Sequence, residues 1–174
     1  DYRGLYGRLD LDLGTTPLAL AALPTDVQLR RYADGRDFNP DLEELYVQYG
    51  RYLMIASSRT PGVPANLQGL WNEQLPPPWS SNYTTNINLE ENYWPAEPAA
   101  LGELHRLTLL AWLQRLQPQG ERCARNYYGV DRGWCLGHNS DLWAMANPVG
   151  LQAGDPVWAC WNMGGAWLAT HIWE

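Results

Sequence analysis

Residues 58–82 carry five prolines, Pro61, Pro64 and the run Pro76 to Pro78, together with Gly62 and Gly69. Proline removes a backbone donor and clashes with the preceding helical turn, so neither a long helix nor a central strand can pass through this stretch. A loop of this length inside a compact chain is usually either functional or disordered. Its content of Trp71, Trp79, Asn66, Gln68, Asn72 and Asn82 argues against disorder. The chain must therefore fold around a long, ordered loop.

Regular structure is expected on both sides of it. Upstream, Asn39 can cap a helix with Pro40 at its first position, and Leu42, Leu45, Tyr46, Tyr49, Leu53 and Ala56 recur at helical spacing to about Ser57. Downstream, the pattern predicts a short helix from Leu89 to Trp94, ended by Pro95. A longer one should run from Ala99 to Leu116, apolar on most faces and so buried on both sides, and another from Gly120 to Tyr128. A second loop rich in Gly, Trp and Asn fills residues 129–156, and a last helix begins near Trp161. Residues 1–14 and 30–40 carry mixed, turn-rich signals. No run after them alternates as a strand would, and no solenoid repeat is present. The expected fold class is all-α, a double layer of helices, with residues 1–38 as a lead-in and residues 39–174 as helical domain.

Composition narrows the function. Across 174 residues, 12 Lys and Arg face 19 Asp and Glu, for a net charge of -7 and no basic block, which excludes nucleic acid as the expected partner. Apolar runs such as Leu107 to Leu113 fall well short of the roughly 18 residues of a membrane span, so no membrane partner is expected. Ten Trp and ten Tyr stand against one Phe. Trp and Tyr combine an apolar face with a polar edge, which suits either a Trp-rich core or a sugar site. The odd count of Cys123, Cys135 and Cys160 cannot close into a disulfide framework. Cys135 and His138 form a C-x-x-H pair that Cys160 or His171 could complete as a zinc site, but no second close pair is present, and a buried thiol beside a hydrogen-bonded His is the reading preferred. Asp1 opens the chain without an initiator Met or a signal segment, and Met163 to Glu174 read as a helix still running, so a site only partly contained in this chain is expected.

Three loop clusters could carry chemistry: residues 64–72 with Gln68 and Trp71, residues 82–88 with Thr84, Asn86 and Asn88, and residues 137–143 with His138, Asn139 and Asp141. Side-chain amides hold a donor and an acceptor on one rigid group, matching the paired character of sugar hydroxyls. The competing reading of each cluster is an Asn- or Asp-capped turn. Were residues 86–88 extended, Asn86 and Asn88 would point the same way, converging on one water while Ile87 turned to the core.

The runs PANLQGLWN (64–72), PPPWSSNYTTNINLEENYWPAE (76–97), GHNSDLW (137–143) and MGGAWLATHIWE (163–174) resemble glycoside hydrolase family 95, as do LYVQYGRYLMIASSR (45–59) and DYRGLYGRLDLDLG (1–14), in the family's order. The resemblance implies part of a six-hairpin (α/α)6 toroid and an inverting hydrolase that releases terminal α-L-fucose, typically α-1,2-linked, or α-L-galactose. In an inverting glycosidase an acid protonates the leaving oxygen while water attacks from the opposite face.

By motif match, Asn86 and Asn88 are the residues that position the attacking water, work an amide can do by hydrogen bonding although it is a poor base. Gln68, Trp71, Thr84, His138, Asn139, Asp141 and Trp167 would line the sugar pocket. Some similar fucosidases carry His where Thr84 stands, so the smaller side chain could admit the extra hydroxyl of L-galactose. The general acid Glu and an assisting Asp are expected after residue 174, which would leave residues 1–174 inactive alone. Glu90 and Glu91 are expected to face solvent or to support their neighbours, and Glu97 to tie its loop to adjacent segments. The resemblance implies no metal or organic cofactor, a fucosylated or L-galactosylated glycan as the partner, and export to a periplasm or outside the cell. A noncatalytic sugar-binding module or an inactive relative stands as the alternative.

Overall fold

A computed structural model describes residues 1–149 and 154–173. The chain divides into two compact units, residues 1–53 and residues 54–174.

The first unit contains α1 (Tyr2–Tyr6), α2 (Leu18–Ala21), α3 (Thr25–Ala33) and most of α4 (Pro40–Ser57), which runs through the junction. α4 starts where the sequence places it. The Asn39 side-chain oxygen accepts from the Leu42 N–H at 3.0 Å and from the Thr16 hydroxyl at 2.8 Å, while its amide donates to Gln28 at 2.7 Å. One fully buried cap thus satisfies an orphan helix donor and ties two upstream segments to α4. Arg51, also buried, donates to the Tyr6 carbonyl at 2.8 Å and the Leu5 carbonyl at 2.9 Å, closing the C-terminal end of α1 onto α4. The turn-rich reading of residues 1–14 and 30–40 is therefore corrected where α1 and the end of α3 fall within them, and α2 and most of α3 lie between the two stretches. α3 escaped it because it buries no residue and so carries no apolar stripe.

The second unit is built on one long, composite helix. α6 (Gly102–His105) continues through a π-helical turn (Arg106–Leu110) into α7 (Ala111–Tyr128). Two sequence expectations change here. The start moves from Ala99 to Gly102, because Ala100 adopts φ 59° and the Glu97 carboxylate packs against Gly102 where a side chain would have to stand. The break expected before Gly120 is absent: Pro118 lies inside the helix on an exposed side, where the unpaired carbonyl one turn back is least costly. The helix also buries one broad face rather than two, since Glu103, Arg106, Gln114 and Arg115 are exposed.

Against that face pack α5 (Asn88–Tyr93) and the loops. Tyr83, Leu89, Tyr93, Leu109, Trp112, Leu116, Cys123, Leu136 and Leu168 form a continuous core. Tyr83 meets the fully buried Trp112 edge to face at 5.1 Å and donates to the Pro64 carbonyl at 3.0 Å. Part of the aromatic excess is thus core, whereas Trp71, Trp79 and Trp143 are exposed. The last elements are α8 (Pro156–Ala159), α9 (Gly164–Ala169) and a 3-10 turn (Thr170–Ile172), so the final helix begins at Gly164 rather than near Trp161. The only sheet among the described residues pairs β1 (Tyr83–Thr84) with β2 (Asn139–Ser140), antiparallel. The fold class is all-α, as expected, and no described helix is long and apolar enough to cross a membrane.

Candidate functional site

The three polar loops, the first and last separated by residues 73–136, meet in the second unit. Clusters 64–72 and 82–88 are joined by the Leu67 N–H to the Asn82 carbonyl at 3.0 Å and by the Ser81 hydroxyl to the Asn66 side chain at 2.8 Å. Clusters 82–88 and 137–143 are joined by the β1–β2 pair, with Tyr83 opposite Ser140 and Thr84 opposite Asn139. Immediately after β1, fully buried Thr85 donates its N–H to the His138 carbonyl at 2.8 Å and places its hydroxyl 2.7 Å from the Gly137 carbonyl and 2.9 Å from that of His138.

α9 closes on the same point. A Cβ on Gly164 would lie 2.8 Å from both the Gly137 oxygen and the Thr85 hydroxyl, so only glycine allows this approach. Through α9, Trp167 reaches Trp161 at 6.5 Å, and Trp161 and Trp158 set their edges against the His138 ring at 6.2 and 5.7 Å. His138 Nδ1 bonds the Asn139 side-chain oxygen, which orients both residues.

Residues 85–87 form a turn, and Asn88 is the first residue of α5, which overturns the extended geometry expected for the Asn pair. Ile87 adopts φ 82° and is 37% exposed instead of turning to the core. A positive φ is costly for a β-branched residue and persists only where the surroundings impose it. Asn86 and Asn88 flank this strained residue, both half-buried, and neither side-chain amide is engaged in a hydrogen bond among the described residues. They are free to bind a ligand or a water.

The other expected site residues divide by what they touch. Gln68 keeps a buried side-chain oxygen with no partner among the described residues, a group that can accept from a hydroxyl. Trp71 is half-exposed, its ring lying 2.8 Å from where a Cβ on Gly69 would stand. Thr84 is buried, and its hydroxyl donates back to Asn82 at 2.8 Å. Asp141 accepts the N–H groups of Trp143 and Met145 at 2.9 and 3.1 Å, the capped-turn role weighed against substrate contact.

Glu90 is fully buried, which removes the solvent-facing alternative and leaves the supporting one, while Glu91 is exposed. Burial raises the Glu90 carboxyl to about 7, opposed in part by the Glu90 and Ile87 amides behind it. Glu97 ties its loop to α6 through His105 at 3.3 Å, and the other face of His105 bonds His171 at 3.1 Å. Among the described residues no three of His, Cys, Asp or Glu stand together as a metal site, and Cys135 directs its thiol to the Gly120 carbonyl instead. Sequence reasoning missed Thr85 and Gly164; the Gly-Gly step before a helical stretch signalled close packing at Gly164, and nothing in the spacing signalled Thr85.

The three loops bring side-chain amides, hydroxyls and indole rings together, groups whose paired donors and acceptors and apolar faces match the chemistry of sugars. The glycosyl hydrolase family 95 catalytic domain matches residues 1–174, and the chain belongs to this family. It is 41% identical over 177 residues to alpha-L-fucosidase 2 of Arabidopsis thaliana, covering 100% of this chain and 20% of that relative. It is 36% identical over 176 residues to the probable alpha-fucosidase A of Aspergillus niger, covering 100% of the chain and 21% of the relative. With the protein of the same name from Aspergillus oryzae, identity is 38% over 168 residues, or 92% of the chain and 23% of the relative. The chain thus spans about a fifth of the length of these relatives.

Proposed function

We propose that this chain is part of an inverting glycoside hydrolase that releases terminal α-L-fucose, first of all in α-1,2 linkage, or α-L-galactose, and that it forms part of an (α/α)6 toroid. The observation that carries this reading is the pair of unengaged, half-buried amides of Asn86 and Asn88 on either side of a strained turn, at the meeting point of three polar loops. Membership of family 95 and the names of the three relatives support it.

In this mechanism the two amide oxygens accept from one water and hold it in line with the anomeric carbon, so that the entropic part of the barrier is met before reaction. An amide takes up no proton at working pH, so a carboxylate must receive the water's proton and a second carboxyl must protonate the leaving oxygen. No carboxyl of this chain is assigned either task. Gln68, His138, Asn139 and Trp167 line the sugar subsite, with the indole as an apolar wall and the amides as hydroxyl partners. Thr84 stands at the specificity position, and the site works on the exported side of the membrane.

The test is a proton NMR time course of the full-length protein on an α-1,2-fucosylated oligosaccharide and on the matching α-L-galactoside. Early appearance of the β-anomer of the free sugar is expected. Early α-anomer would replace inversion by retention, and release of neither sugar would favour a noncatalytic sugar-binding protein.

A further inference from the structure

The turn that carries Asn86 and Asn88 is flanked on both sides by buried residues, Thr85 before it and Glu90 after it. On its N-terminal side Thr85 is fixed by its N–H to the His138 carbonyl and by its hydroxyl, shared between the Gly137 and His138 carbonyls. On its C-terminal side the first turn of α5 contains Asn88, Leu89 and Glu90, with Ile87 as the N-cap residue. Ile87 provides no side-chain cap, and its φ of 82° is the most strained backbone value beside the Asn pair.

Glu90 is the third residue of α5, the position from which a Glu or Gln side chain folds back to the N-cap amide. Its side chain is 0% exposed, and neither carboxyl oxygen has a hydrogen-bond partner among the described residues. Burial raises its carboxyl, and the nearby Glu90 and Ile87 amides oppose this. A carboxyl in this place is costly unless it does something, because a buried polar group without a partner forfeits its hydration.

We infer that Glu90 is the positioning residue for the Asn86 and Asn88 pair: its buried carboxyl, folded back toward the Ile87 amide, holds the positive-φ turn in one geometry from the side opposite Thr85. It touches no substrate. The inference rests on the reading of Asn86 and Asn88 as the groups that hold the nucleophilic water, and it adds the element that keeps them in register. With the carboxyl neutral, the turn is held without a buried charge, and ionisation near pH 7 brings a charge against the same amides.

The test compares the full-length wild type with E90Q and E90L, by amide hydrogen exchange over residues 85–90 and by kinetics on an α-L-fucoside. In E90L, exchange at Ile87 is expected to accelerate by at least about tenfold while global stability holds or rises, and kcat to fall by about a hundredfold with KM within about twofold. E90Q, whose amide oxygen can face the same N–H, is expected to restore both. Wild-type exchange in E90L, or an E90Q variant as impaired as E90L, overturns the inference. Should E90L not fold, E90Q decides: the wild-type protection of Ile87 changes between pH 6 and 8 and that of E90Q does not, whereas parallel profiles overturn the inference. A protein without glycosidase turnover in which E90L still loosens residues 85–90 sinks the hydrolase reading and upholds the positioning role. An active protein with an unchanged turn does the reverse.

Discussion

Thr85 reaches the His138 carbonyl twice, through its N–H at 2.8 Å and its hydroxyl at 2.9 Å, and so binds together two loops that lie 53 residues apart. Thr85 is itself fully buried, as is the bond of its hydroxyl to the Gly137 carbonyl, so water does not replace that bond once it is lost. Thr85→Val keeps the shape and removes the hydroxyl, leaving the Gly137 oxygen short of a donor. A loss of about 1–2 kcal/mol of stability is expected, read from chemical denaturation of the full-length protein.

Gly164 and Gly137 give a matched contrast on the same contact. A Cβ at Gly164 would sit 2.8 Å from the Gly137 oxygen and the Thr85 hydroxyl, whereas one at Gly137 would find its nearest neighbour at 3.5 Å, ordinary contact. Gly164→Ala should therefore cost about 1–3 kcal/mol, with Gly137→Ala close to neutral. Equal effects in thermal denaturation would show that α9 does not rest on the Thr85 clamp.

Asn86→Ala and Asn88→Ala should separate fold from chemistry. Neither side chain is engaged in a hydrogen bond among the described residues, so each substitution is expected to leave stability within about 0.5 kcal/mol. Loss of water positioning should lower kcat by about a hundredfold or more with little change in KM. Steady-state kinetics with a fucosyl oligosaccharide reads both, and retained turnover in either variant removes that residue from the reaction.

What the sequence discloses and what it hides follow from the range of the forces involved. Helix α4 was legible to the residue, since an Asn cap, a Pro at the first position and a helical stripe are all local. The composite helix continues through Pro118, against the sequence pattern, because tertiary packing on the Trp112 face outweighs one missing hydrogen bond. The β1–β2 pair, which decides the geometry of the site, has two residues per strand and no periodicity to detect. Ile87 is the clearest miss: an extended reading of Asn-Ile-Asn is the intrinsic preference, and a positive φ at a β-branched residue can come only from its surroundings. The clusters themselves were visible as composition, but their convergence was not.

Thr84→His tests the specificity position. Thr84 is buried on β1, opposite Asn139, with its hydroxyl turned back to Asn82. A larger imidazole would take up the space proposed for the extra hydroxyl of L-galactose, so the ratio of fucoside to galactoside kcat/KM should rise, by about 10 to 200-fold for a contact of this size. An unchanged ratio in a folded variant would detach Thr84 from substrate choice.

Glu90 and His171 pull the pH dependence of stability in opposite directions. Burial, with the His105 ring beside it, lowers the His171 imidazole from about 6.5 to about 4. It is neutral in the fold and gains a proton on unfolding below about 6.5, so its contribution is complete above that pH and is lost as the pH falls toward 4. Burial raises the Glu90 carboxyl from about 4.5 to about 7, so it is neutral in the fold and ionises on unfolding above about 4.5. Its contribution is complete below 4.5 and is lost as the pH rises through 7. Over the overlap the two slopes offset each other, and a wild-type profile is flatter than either group alone would give. Glu90→Gln removes one slope: the stability of E90Q relative to wild type should grow with pH and level off above about 7, reaching at most on the order of 3 kcal/mol. Melting temperatures of both proteins from pH 4 to 8 measure this, and a difference constant across that range would show that Glu90 keeps an ordinary carboxyl in the fold.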